Sequence, residues 1–288
     1  MITFICCSVN PTLAAKLNEN IAQTAGVPFE FIAYDNRVDG YGICRVYNNC
    51  AKDAKYDYLC FVHEDVIIKS NDWAAKIIAK LQESDCGVIG FAGSAIKHQS
   101  YSGWGCLHEA TRINVIQHRK NGNITRELHN PREEEFSQVI TLDGLCLFAR
   151  RDVWQHNQFD EVLLDRFHCY DLDFALSVAQ NYKNYVCFTL DIEHLSTGSF
   201  NEQWVEATRK LHQKWQDRLP MYTPEWEQMP IDDKITKIEY RIARHMMKHL
   251  KALHSPSDTA RDFFSRYWNK SSLAWLILLK YLTDKLKS

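Results

Sequence analysis

Four polar clusters in this sequence carry side chains that can bind a cation or move a proton. His63-Glu64-Asp65 comes directly after the apolar run Tyr58-Leu59-Cys60-Phe61-Val62. Imidazole and carboxylate groups this close together can offer nitrogen and oxygen ligands to a divalent cation. Asp35-Asn36 follows the apolar-rich stretch from Phe29 to Tyr34, and Glu193-His194 lies just past the stretch from Tyr185 to Leu190. Tyr170-Asp171-Leu172-Asp173 places two carboxylates at the start of a helical pattern. A positioned carboxylate can accept a proton from a reacting hydroxyl. At a helix start it can equally serve the helix dipole.

These clusters need elements that bring them together. An unbroken apolar run such as Tyr58 to Val62 reads as a strand covered on both faces, as in a mostly parallel sheet. Ile2 to Cys7 and Phe29 to Tyr34 read as the strands before it. A helix starting at Asn10-Pro11, and another with Ile43, Val46, Tyr47, Cys50 and Ala54 on one face, separate the three. This β-α-β-α-β order predicts parallel strands joined by right-handed crossovers. Further strands are expected over Gly87 to Phe91, Val139 to Leu142, Leu145 to Ala149 and Tyr185 to Leu190. Helices are expected over Trp73 to Leu81 and Asp171 to Asn181, and around Trp204, Leu211 and Trp215. In such a sheet the polar clusters share the carboxyl edge, where ligands bind. Residues 94–138 lose periodicity, and a connection of that length is usually functional or disordered. Trp104 stands there between Gly103 and Gly105 as a stacking group or as loop packing.

The 288 residues suffice for one large domain with an appendage. Apolar content of 45% and charged content of 24% are those of a globular protein. A formal net charge of -2 gives no reason to expect nucleic acid. The charge is uneven, however. Residues 231–288 hold twelve Lys+Arg against six Asp+Glu, a net +6, which leaves -8 for residues 1–230. The basic end, with the apolar run 273–282, suits peripheral contact with an anionic membrane surface, self-association into a homo-oligomer, or packing against the core. Ten apolar residues cannot span a bilayer. Of the ten cysteines, Cys60, Cys146 and Cys187 sit inside apolar runs, and no Cys-x-x-Cys pair exists. Buried thiols in reducing cytosol are expected rather than a disulfide framework or a structural zinc. Met1-Ile2-Thr3-Phe4 lacks the basic start of a signal peptide, so the expected location is cytoplasmic, with any membrane contact at the inner face.

Together, Phe61-Val62-His63-Glu64-Asp65-Val66, Leu142-Asp143-Gly144, Phe167-His168-Cys169-Tyr170-Asp171-Leu172-Asp173-Phe174 and Glu193-His194-Leu195-Ser196-Thr197-Gly198-Ser199 carry a resemblance. In order and spacing they resemble a family 2-type glycosyltransferase of the GT-A fold, within a bacterial glycosyltransferase-like subgroup, over roughly residues 1–215. The resemblance implies a Rossmann-like α/β domain over 1–220, and residues 221–288 are expected to form an α-helical extension. It implies transfer of a sugar from a UDP- or GDP-sugar to a hydroxyl on a glycan or lipid-linked acceptor. The process would be surface polysaccharide or glycoconjugate synthesis. His63-Glu64-Asp65 takes the place of the family's Asp-x-Asp. Asp65, with His63 and His194, would hold Mn2+ or Mg2+ against the donor diphosphate. Asp35 and Asn36, with Glu64 and Asp65, would contact the donor. Asp171 would be the general base, with inversion at the sugar carbon. Trp104, Asp143, Gly144, Tyr170 and Asp173 would meet the acceptor. Asp35 also reads as a turn residue, Asp143-Gly144 as a hairpin turn, and His194 as a core histidine. Two departures from the family, His63 and Tyr170, keep open a catalytically silent nucleotide-sugar-binding protein. A nucleotidyltransferase would also use acids at strand ends. It would usually carry a Gly-rich basic loop, which Cys6-Cys7-Ser8-Val9-Asn10 does not supply.

Overall fold

The structure, a computed structural model, describes residues 1–227 apart from Cys106 and Ser199, together with Ile242 and Met246. It opens on β1 (Ile2–Ser8), α1 (Pro11–Thr24), β2 (Phe29–Asp35), α2 (Ile43–Asp53) and β3 (Tyr58–Val62). Asn10 caps α1, its side-chain oxygen accepting the Leu13 N–H at 3.3 Å. Alternation in the strands decides what lies on either side of the sheet. In β3, Leu59 and Phe61 enter one apolar core while Cys60 and Val62 enter another. β1 divides likewise, with Ile5 in the first core and Phe4 and Cys6 in the second. Two-sided burial is why these strands read as continuous apolar runs.

The chain continues through β4 (Val66–Ile68), α3 (Ala74–Leu81), β5 (Cys86–Gly90), β6 (Ala92–Ser94), β7 (Ile96–Lys97), β8 (Thr111–His118), β9 (Ile124–His129), β10 (Phe136–Val139), β11 (Thr141–Leu142) and β12 (Cys146–Arg150). Then come α4 (Arg151–His156), α5 (Tyr170–Val178), β13 (Lys183–Cys187), β14 (Ile192–His194), α6 (Glu202–Lys214), β15 (Met221–Tyr222) and α7 (Pro224–Glu227). The main sheet has the order β10-β13-β5-β12-β3-β1-β2. Its β1–β2, β1–β3 and β13–β5 pairs are parallel, as the crossover pattern predicts. β12 lies antiparallel between β3 and β5. The chain reaches it from β11 through Asp143, Gly144 and Leu145 alone, too few residues to cross the sheet, so the strand must run back.

A second, six-stranded sheet of order β11-β6-β8-β14-β4 lies beyond the carboxyl edge of the first, with β9 paired to β8. It corrects two expectations. Asp143-Gly144 is not a hairpin turn, because β11 pairs with β6 in one sheet and β12 with β3 and β5 in the other. Residues 94–138 are not an irregular connection, because they supply β7, β8, β9 and most of β10. β9 is mostly exposed and has no buried residue, so burial imposes no apolar alternation on its sequence. The Trp104 loop is tied down from below. The fully buried Lys97 ammonium donates to Ser102 O at 2.6 Å, Ser102 Oγ at 2.9 Å and Gly103 O at 3.0 Å.

Residues 221–227 join the same body, since β15 pairs with β7 and Glu225 meets the buried Arg112 guanidinium at 3.4 Å. Ile242 and Met246 are helical and buried. The rest of the expected helical extension lies outside the described residues, including the basic stretch after Pro230, His245, His249 and the 273–282 run. Among the described residues, no helix is long and apolar enough to cross a membrane. Nine described cysteines are free, and Cys60 and Cys146 face each other across β3 and β12 as thiols with sulfurs 3.5 Å apart.

Candidate functional site

The end of β3 and the end of β14 meet where the two sheets adjoin. β14 pairs antiparallel with β4, placing His194 opposite Val66, and Leu195 N–H donates to Asp65 O at 3.0 Å. This pairing brings ligand atoms of His63, Asp65 and His194 within 4.8 Å of one another. His194 Nε2 lies 3.6 Å from Asp65 Oδ1. That nitrogen is buried with no hydrogen-bond partner, a position that costs free energy unless something else occupies it. Burial alone would raise the Asp65 carboxyl. The neighbouring His194, with smaller help from Ser196 and His63, instead holds it well below the usual carboxylate range. Burial works against charge on His194 too, but Asp65 outweighs it and raises the imidazole. His63 is pushed down by desolvation and by the neighbouring His194. An ionised carboxylate with two imidazoles is a donor set that fits Mn2+ better than the oxygen-seeking Mg2+.

Tyr170 stands behind His63. Its phenol oxygen is 2.7 Å from His63 Nε2 and 3.0 Å from Gly144 O. Burial keeps the phenol protonated. With its single proton given to Gly144 O, His63 Nε2–H is the donor in the other contact, and the lone pair is on Nδ1. Gly144 is required here, because a Cβ would collide with the Tyr170 hydroxyl. Cys169, just before α5, has φ +65, an unusual left-handed conformation for a side-chain-bearing residue. That backbone turn starts α5 with Tyr170 and Asp171 facing the site.

Two cavities meet at His63 and Phe167. One, of about 660 Å³, is lined by Trp104, Asp143, Gly144, Tyr170, Asp171 and His194 among others. The second, of about 670 Å³, is lined by Asn36, Tyr41, Glu64, Asp65 and Arg166 among others. Asp171 in the first cavity is raised to about 7, by desolvation first and then by the Asp143 carboxylate. Backbone N–H groups of Leu172 and Gly144 pull the other way. A carboxyl that loses its proton near neutrality is suited to general-base work.

Several of the expected contact residues have their polar groups taken up within the protein. Glu64 turns back to the β1–α1 corner and accepts from Ser8 Oγ at 2.6 Å and Asn10 N at 3.0 Å. Asn36 spends its amide on Tyr41, donating to its carbonyl and accepting from its N–H, both at 2.8 Å, so it positions the Tyr41 ring. Asp35 is exposed, lines neither cavity and is pulled down to about 2 by the Arg37 guanidinium that grips it. Asp173 also lines neither cavity. It is buried behind α5, accepting from Lys214 Nζ at 2.8 Å and Trp215 Nε1 at 2.7 Å. Arg166 and Gln117 went unnoticed in sequence, and Phe167 figures there only within the motif that carries the resemblance. No periodicity marks the loop before α5, and β8 lies in the stretch read as irregular.

A family model described as a glycosyltransferase-like family matches residues 3–219. The structure is similar to the mannosyltransferase PcManGT from Pyrobaculum calidifontis in complex with GDP-Man and Mn2+. The identity is 12%, the match covers 99% of this chain and 80% of that one, and the TM-score is 0.51. It is also similar to residues 1–349 of S. aureus TarS, with 14% identity, 92% and 78% coverage and a TM-score of 0.49. GalNAc-T7 with UDP, GalNAc and Mn2+ matches at 12% identity and a TM-score of 0.44, over 73% of this chain but only 41% of that chain's length. No curated protein matches the sequence.

Proposed function

The chain belongs to the glycosyltransferase-like family and is a glycosyltransferase of the GT-A fold, and from that premise we propose a metal-assisted transfer with inversion. The donor is a nucleotide sugar and the acceptor a hydroxyl group. The observation that supports this reading most is the placement of His63, Asp65 and His194 where the two cavities meet, with Asp171 in the first of them.

The cavity beside β1 and α2 takes the nucleotide, with Tyr41 held against it by Asn36. Arg166 is its one lining cation among the described residues and is placed to meet phosphate. Asp65, His194 and His63 would hold a divalent cation, Mn2+ in preference. Bound there, it supplies positive charge beside the departing diphosphate. In the other cavity, Asp171 accepts the proton of the acceptor hydroxyl as its oxygen bonds to the anomeric carbon and the bond to the diphosphate breaks. Asp143 keeps Asp171 basic enough for that proton. With Asp171 as the base, the reading is a single displacement, hence inversion.

Thermal melting with a panel of nucleoside diphosphates, with and without Mn2+, tests this reading. A ligand that binds only the folded state raises the melting temperature with its occupancy. The expected result is a Mn2+-dependent shift with one nucleotide that is lost in Asp65→Ala. The same shift in Asp65→Ala, or no shift with any nucleotide, overturns the reading and favours a silent member of the fold.

A further inference from the structure

We infer that Gln117 is a positioning residue for His194, holding its ring as the Nδ1–H tautomer so that the lone pair on Nε2 faces Asp65. The inference rests on reading His63, Asp65 and His194 as a cation site.

β8 and β14 run parallel, and their register sets Gln117 directly opposite His194. Gln117 Oε1 lies 3.2 Å from His194 Nδ1. The orientation of the amide is decided at its other end. Its nitrogen is 2.6 Å from Ser196 O, 2.9 Å from His118 O and 3.3 Å from His194 O. Carbonyl oxygens only accept, so the NH2 must point at them. A flipped amide would set Oε1 against three oxygens and lose every one of these bonds. With the amide oxygen facing the ring, Nδ1 has to be the N–H. A neutral imidazole carries a single proton, so Nε2 has the lone pair.

That consequence agrees with the far side of the ring. His194 Nε2 is buried, has no hydrogen-bond partner and points to Asp65 Oδ1 at 3.6 Å. In the opposite tautomer, Nε2–H would donate to Asp65. Both groups would then be taken up by each other, and no ligand pair would remain. A partner on the second nitrogen is how metal-binding histidines are generally oriented, and losing one costs roughly 10–100-fold in metal affinity. Gln117 also reaches Ser196 and His118, so a single side chain ties the β14 exit to the β8 end and fixes the ring in place.

Two readouts on the full chain test this, neither of them turnover. The first is imidazole nitrogen NMR of the metal-free protein at alkaline pH, with the His194 signal identified by its loss in His194→Asn. Wild type should show His194 as Nδ1–H, and Gln117→Met should shift it toward a mixture or toward Nε2–H. A wild-type His194 in the Nε2–H form overturns the inference with no variant needed. The second is Mn2+ titration followed by the electron-spin signal of the free ion. Gln117→Met should bind Mn2+ roughly 10–100-fold more weakly. Binding by Gln117→Met within about twofold of wild type overturns the inference while the cation site stands. Absence of Mn2+ binding by wild type overturns the cation site itself. The NMR measurement then decides separately whether Gln117 sets the tautomer.

Discussion

Replacing Asp171 by Asn should separate the chemistry of this site from its stability, in opposite directions. The Asp171 carboxyl is raised from 3.8 to about 7 in the folded chain. Between those values the folded protein keeps a proton that the unfolded chain has lost. Stability therefore falls as pH rises through that window and levels off above it. The shift of about 3 units sets a ceiling of about 4 kcal/mol on the cost of the ionised carboxylate. Asp171 is only half-buried and borders a cavity, which lowers the realised figure. Asn has nearly the same shape and does not titrate. Asp171→Asn should match wild type near pH 4 and exceed it increasingly up to about pH 7. Each kcal/mol gained corresponds to roughly 2–4 °C in melting temperature for a domain of this size. The assay is a set of melting curves across that range in metal-free buffer, read as the difference between the two proteins. Sugar transfer, measured with the nucleotide donor identified by thermal shift, should drop by roughly 10²–10⁴-fold. A difference in melting temperature that does not change with pH would refute the assigned proton affinity. Near-normal transfer by Asp171→Asn would remove it from the base role.

Two further substitutions examine the surroundings. Gly144→Ala would put a methyl group into the Tyr170 hydroxyl and force α5 away from His63. A loss of about 1–3 kcal/mol in urea unfolding is expected, with weakened Mn2+ binding; an unchanged midpoint would show that the turn has room to give. Asp173→Ala should leave the acceptor KM unchanged and lower stability by about 1–3 kcal/mol, because Trp215 Nε1 and Lys214 lose a buried acceptor. A raised acceptor KM at unchanged stability would return Asp173 to the site.

Much of the fold is written in local sequence. The two-sided apolar runs of β1 and β3 and the helical spacing of α1 and α2 each follow from burial patterns that a linear reading can see. Asn10, as the cap of α1, is equally legible. So are the residue types at the end of β3, where ionisable groups follow a buried strand at the sheet's carboxyl edge. The second sheet was not legible, because β6 and β11 are only two or three residues long and β9 is mostly exposed. Short or exposed strands leave no period to detect.

What the sequence determined was the chemistry on offer: imidazoles, carboxylates and the order of elements bearing them. Which of those groups act together was decided in three dimensions. Glu64 and Asp65 are neighbours in the chain, yet one braces the β1–α1 corner and the other faces His194 across the pairing of β4 with β14. Asp171 and Asp173 belong to one tetrapeptide. Helical geometry turns one into a cavity beside Asp143 and buries the other against Lys214 and Trp215. Gln117 meets His194 only because two strands far apart in sequence run side by side. A side chain's type is fixed by the gene, but its proton affinity, its tautomer and its partners are set by desolvation and by neighbours that only long-range packing supplies.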